Sequence, residues 1–126
     1  MENKKVLIVE DDRAIIKPIV LLLGKKGIST LTAANAEEGL LLAYQNAPDL
    51  ILLDILMPKI DGFMMLEKLK SDEKTKNIPV FIISNLGSDE KIKRGMELGA
   101  KKYFIKTNWS LADIVKSVEE ELASRS

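Results

Sequence analysis

Five short runs that read as strands, four of them apolar and cut off by a polar or charged residue, and each followed by a helical pattern, constrain this chain more than anything else in it. They lie at residues 6–9, 28–33, 50–53, 80–83 and 103–105, and four of them end against Glu10, Asp54, Ser84 and Lys106. The run at 50–53 shows no polar alternation, which is the pattern of a strand covered on both faces. Between the runs, apolar residues recur at helical spacing: Ile15, Ile16, Ile19, Val20, Leu22 and Leu23, then Ala36, Leu40 and Ala43, then Phe63, Leu66 and Leu69. A helix from Asp89 to about Leu98 and one carrying Leu111, Ile114, Val115, Val118 and Leu122 complete the set. Strict alternation of five strands with five helices implies a parallel sheet covered on both faces, because each parallel neighbour needs a crossover.

Boundary residues support the same division. Asn35 followed by Glu38 resembles a capping box, Ser88 and Ser110 can cap the last two helices, and Asp12 is read as the cap of the first. Pro48 ends the second helix, and Gly99 closes the fourth. Pro18 falls inside the first helix, where a missing N–H and a ring clash predict a kink or a helix that is regular only beyond it. The turn at MPKIDG leads into the third helix.

At 126 residues the chain has room for one core, so residues 1–126 are expected to form one domain. Lys plus Arg and Asp plus Glu balance at 19 each, which removes the general attraction of a nucleic-acid or anionic-membrane binder. Without cysteine or histidine there is no disulfide, thiolate metal site or imidazole acid/base, so the chemistry falls to carboxylates, lysine and hydroxyls. A short apolar start that soon meets acids, and no run of membrane-spanning length, point to a cytoplasmic protein.

In open parallel sheets ligands gather beyond the carboxyl ends of the strands. Those ends bring together Glu10, Asp11, Asp54, Ser84 and Lys106. Three carboxylates in one volume repel one another unless a cation screens them. A hard divalent ion such as Mg2+, or Mn2+ in its place, suits oxygen donors and leaves room for phosphate oxygens. Singly, an acid before a helix can be a cap, Ser84 a turn hydroxyl and Lys106 a surface lysine. Trp109 and the methionines read as packing or surface residues, and the lysine pairs at 25–26 and 101–102 as solvated faces.

The ordered set of VLIVEDD at 6–12, DLILLD at 49–54 with Met57-Pro58 and Asp61-Gly62, PVFIIS at 79–84 and GAKKYFIK at 99–106 resembles the receiver domain of two-component response regulators. The resemblance covers essentially the whole chain. It implies a flavodoxin-like sheet of order 2-1-3-4-5. It implies that Asp54 accepts a phosphoryl group, that Asp11, Asp54 and the backbone carbonyl of Leu56 hold Mg2+, and that Glu10 acts through water. Lys106 would pair with the carboxylate and then the phosphoryl group. Ser84 and Tyr103 would be the switch pair, Tyr103 swinging inward and remodelling the face of the fourth helix, fifth strand and fifth helix.

The implied partners are a sensor histidine kinase or histidine phosphotransfer protein and a downstream protein target. No direct contact with nucleic acid or membrane is expected, and the protein is a monomer or a phosphorylation-dependent dimer. It is a switch rather than an enzyme. The chain departs from the pattern in two respects. Thr107 stands where proline, often cis, follows the lysine, so that bond is trans or strained. Leu56 and Leu86 occupy the positions flanking hydrolytic water and cannot hydrogen-bond it, which predicts slow autodephosphorylation. A phosphorylation-independent docking module is the main alternative. An aspartate-nucleophile phosphatase would need a DxD pattern that neither Asp11 nor Asp54 offers, and a flavodoxin-like carrier would need a phosphate loop where three acids stand.

Overall fold

The computed structural model describes residues 3–56 and 61–125; the turn expected at Met57, Pro58, Lys59 and Ile60 lies outside them. In chain order the elements are β1 (Lys5–Val9), α1 (Arg13–Lys25), β2 (Ser29–Ala33), α2 (Ala36–Asn46) and β3 (Leu50–Asp54). Then come α3 (Gly62–Lys70), β4 (Val80–Ser84), α4 (Asp89–Glu97), β5 (Lys102–Ile105) and α5 (Leu111–Ser124). All strand pairs are parallel, in the order β2-β1-β3-β4-β5. The sequence expectation of five alternating strands and helices in this order holds. Among the described residues no helix is long and apolar enough to cross a membrane.

β3 and β4 are buried along their length and β1 from Val6 onward, and the sheet separates two apolar layers. Leu7, Val9, Ile51, Leu53, Val80 and Ile82 face α2 and α3, meeting Ala36, Ala43, Phe63, Met65, Leu66 and Leu69. Val6, Ile8, Leu50, Leu52, Phe81 and Ile83 face α1 and α5, meeting Ile19, Leu23, Ile114, Val115, Val118 and Leu122. That is the two-period of a strand written into the core, since successive side chains take opposite faces.

The helix starts follow the predicted caps. Asp12, Asn35, Ser88 and Ser110 each accept a backbone N–H of the first turn, from Ala14, Glu38, Lys91 and Asp113, and Asp61 does the same for Met64. Asn46 ends α2, and Ala47 turns the chain with a left-handed φ of 45° just before Pro48. Of the two forms expected at Pro18, a helix regular only beyond it is not the one found: α1 runs from Arg13 through Pro18 to Lys25. The carbonyl that Pro18 cannot serve belongs to Ala14, an exposed first-turn residue whose oxygen water can reach.

Candidate functional site

Strand register builds the site. Val9 pairs with Leu53, Asp54 with Ile83 and Ser84 with Ile105, so the residues that end β1, β3, β4 and β5 emerge along one edge of the sheet. Glu10 and Ser84 are fully buried and Asp54 is 3% exposed, whereas Asp11 is open to solvent. The structure therefore brings together Glu10, Asp11, Asp54, Ser84 and Lys106. Oxygens of Glu10, Asp11 and Asp54 lie within 4.8 Å of one another.

Glu10 uses both its oxygens on the protein. Oε2 accepts the N–H groups of Asp11 and Asp12, at 3.1 and 3.2 Å, and so shapes the acidic turn. Oε1 lies 2.7 Å from the Lys106 ammonium. The lysine reaches the Asp54 carboxylate at 3.5 Å, so its closer partner is Glu10, and the single pairing expected with Asp54 becomes a shared one. Asp54 Oδ1 accepts the N–H of Leu56 at 3.1 Å.

This crowding sets the protonation. Burial, followed by the charge of Glu10, pushes the Asp54 carboxyl up to about 7, against the opposing pull of Lys106. Burial alone would lower the Lys106 ammonium, but Glu10 and Asp54 outweigh it and hold the lysine above its ordinary value. The donor set fits a divalent cation on chemistry alone: three carboxylates, all hard oxygen ligands, with Asp11 facing the solvent from which an ion would arrive.

Beside this cluster Ser84 Oγ accepts the N–H of Leu86 at 3.1 Å, and the carbonyl of the same Leu86 accepts the Tyr103 hydroxyl. One residue, Leu86, thus joins serine to tyrosine through two successive peptide units. Tyr103 is half-buried, and burial raises its phenol. In this structure the ring is partly docked, with its hydroxyl held by the Leu86 carbonyl. What docks it is Gly95 of α4, which sequence reasoning missed. A Cβ there would stand 3.1 Å from Tyr103 Cδ2 and 2.7 Å from Ile82 Cδ1. The signal available in the sequence was a glycine in mid-helix, where it costs about 1 kcal/mol unless closeness requires it.

Among the described residues no peptide bond is cis, so Lys106–Thr107 is trans, one of the two forms expected. Leu56 is exposed and Leu86 half-buried beside Ser84. Trp109, 45% exposed, sets its edge against Phe104 at 5.1 Å and is a packing residue, as read from the sequence.

Comparison with known proteins agrees with this geometry. The family described as the response regulator receiver domain matches residues 6–119. The DNA-binding dual master transcriptional regulator RpaA of Synechocystis is 37% identical over 102 residues, which are 81% of this chain and 42% of that protein. The chain thus spans well under half of such relatives, and the DNA binding in that name concerns the whole of that protein. The receiver domain of the Francisella response regulator 1452 superposes with a TM-score of 0.88 at 31% identity, covering 98% of this chain and 100% of that one. A CheY-like receiver domain protein from Methanospirillum hungatei gives 0.87 at 28% identity, over 96% and 94%.

Proposed function

This chain belongs to the response regulator receiver domain family, and on that premise we propose that Asp54 accepts a phosphoryl group from a histidine kinase or histidine phosphotransfer protein. The observation that carries the reading is the placement of a nearly buried Asp54 between Glu10, Asp11 and the Lys106 ammonium at a parallel-sheet edge. In the transfer an Asp54 oxygen attacks phosphorus in line, the P–O bond forms as the P–N bond to the donor imidazole breaks, and the product is an acyl phosphate. Lys106 neutralises charge on the phosphoryl oxygens.

Asp11, Asp54 and the Leu56 carbonyl would hold Mg2+, or Mn2+ in its place, with Glu10 acting behind them. A bound cation supplies charge neutralisation on the phosphoryl group and favours the ionised carboxylate. That requirement is sharp here, because a carboxyl held near 7 is only partly ionised at neutral pH, and the neutral form is a poor nucleophile.

The switch follows from Leu86, which serves both residues. Ser84 can donate its proton to a phosphoryl oxygen, and a shift of its Oγ bears on Leu86, whose carbonyl holds Tyr103. Tyr103 bears on α4 through Gly95, so the face of α4, β5 and α5 is the output surface for a downstream protein. Asp54 turns over no external substrate in this reading; residues 1–126 act as one phosphorylated signalling domain.

Intact-mass spectrometry after incubation with a small phosphodonor, with and without Mg2+, tests the reading. A single phosphoryl adduct that needs the cation and is absent from Asp54→Asn is expected. An adduct retained by that variant overturns it by placing the acceptor elsewhere, and none under any condition overturns it in favour of a docking module.

A further inference from the structure

We infer that Trp109 is a positioning residue for Lys106: by bearing on Phe104 it fixes the turn from which the lysine reaches the Asp54 edge. The kinetic consequence rests on the proposed function, whereas the placement of the lysine does not. Lys106 follows the last residue of β5, a strand at the sheet edge that pairs with β4. Its ammonium serves two targets, Glu10 Oε1 at 2.7 Å and the Asp54 carboxylate at 3.5 Å, through a flexible four-carbon stem. Lys106 and Trp109 are both walls of a cavity of about 320 Å³, whose lining includes Ile83 and Ile114. On that side the stem borders open space, so its direction depends on the backbone it leaves.

That backbone is held at few points. The Lys106 N–H donates to the Ser84 carbonyl at 2.8 Å, and the Asn108 N–H closes a four-residue turn onto the Ile105 carbonyl at 2.9 Å. Lys106 and Thr107 form the middle of this turn, which has no proline ring to restrict it. Residues 107–110 are all exposed. The side chains of Thr107 and Asn108 meet each other at 3.5 Å, and Ser110 is engaged with the N–H of Asp113 in the first turn of α5.

Trp109 reaches inward instead. Its ring meets Phe104 edge-on at 5.1 Å, and Phe104 meets Phe81 in the same manner at 5.8 Å. Phe104 and Phe81 are buried in the layer that faces α1 and α5, so three rings run in series from the loop into the sheet. An indole 45% exposed is a poor filler of the core. What its covered edge supplies is a fixed point three residues past the lysine, on the far side of the turn.

The test labels the lysines of the full chain with nitrogen-15 and reads their ammonium signals by NMR in metal-free buffer. An ammonium held by a carboxylate exchanges slowly with water and gives a resolved signal, and Lys106→Arg assigns it by its loss. The Lys106 signal is expected in the wild type and in Trp109→Phe, and is expected to vanish in Trp109→Ala. Val118→Ala, a cavity in the middle of α5, is expected to lower the melting temperature and keep the signal, which separates placement from stability. With Mg2+ and a small acyl phosphate, phosphorylation is expected to run about tenfold slower in Trp109→Ala and at the wild-type rate in Trp109→Phe.

An unchanged signal in Trp109→Ala, its loss in Trp109→Phe or Val118→Ala, or its absence from the wild type overturns the inference. A Trp109→Ala chain phosphorylated as fast as the wild type does so too. A wild type that takes up no phosphoryl group while the signals behave as expected overturns the proposed function and supports the placement of Lys106 by Trp109.

Discussion

Replacing Asp54 by asparagine is expected to stabilise the protein in metal-free buffer at neutral pH and to flatten its stability between about pH 5 and pH 7. The carboxyl titrates near 7 in the folded protein against 3.8 ordinarily. Its side chain is 4% exposed, so solvent screens little of the effect. Between those two values the folded state holds a proton that the unfolded chain has released, and stability falls by about 1.4 kcal/mol for each unit of rising pH. The favourable contribution of the neutral carboxyl is complete below 3.8 and is lost as pH rises through about 7. The slope shallows as the folded carboxyl ionises near 7, so over the two units from pH 5 to pH 7 the loss comes to roughly 2 kcal/mol.

The chain is well suited to the measurement. It contains no histidine and no cysteine, so no side chain with an ordinary pKa titrates in that window. Lys106 is held above 10.5, and the stability it contributes is present below that value and lost only on the alkaline side. Urea melts in chelator at several pH values, for wild type and Asp54→Asn, give the two slopes directly. Saturating Mg2+ at pH 7 is expected to restore the wild type and leave the variant unmoved. A flat wild-type profile, or an identical slope in the variant, would refute the electrostatic account of the site.

Other substitutions separate packing from chemistry. Gly95→Ala is expected to cost about 1–2 kcal/mol despite its better helix propensity, and part of the loss returns in an Ile82→Val background that removes the 2.7 Å Cδ1 contact; thermal melts of the four combinations decide it. Gly24→Ala, with nothing within 4 Å of the new Cβ, is expected to gain about 0.5–1 kcal/mol in the same assay. Asp12→Ala removes the cap on Ala14 and is expected to cost about 1 kcal/mol with Mg2+ affinity unchanged by calorimetry; lost affinity would make Asp12 part of the cation site. The phosphoryl group on Asp54 is expected to decay slowly, and Leu86→Gln, which can orient a water, to shorten its lifetime, read by the mass shift over time.

Most of the fold was legible because its signals are local: an uninterrupted apolar run at 50–53, caps at Asp12, Asn35, Ser88 and Ser110, and polar residues at strand ends. The site was legible because parallel strands must deliver those ends to one edge. What was hidden depends on distances that spacing does not encode. No spacing rule says that Lys106 lies nearer Glu10 than Asp54, since both carboxylates end neighbouring strands. Nor does it show that Lys101 is held by Glu121 at 2.8 Å rather than solvated.

Alternation along the strands gives the molecule two sides that need not speak to the same protein. Asp54 has the parity of Leu52, which belongs to the layer of α1 and α5, and Ser84 has that of Ile82, which belongs to the layer of α2 and α3. Acceptor and switch hydroxyl thus leave the sheet toward opposite layers and meet only over its edge. Under the proposed function, a donor that reaches Asp54 from the layer of α1 and α5 would leave α4 uncovered, and loading by one partner would not require release of a second.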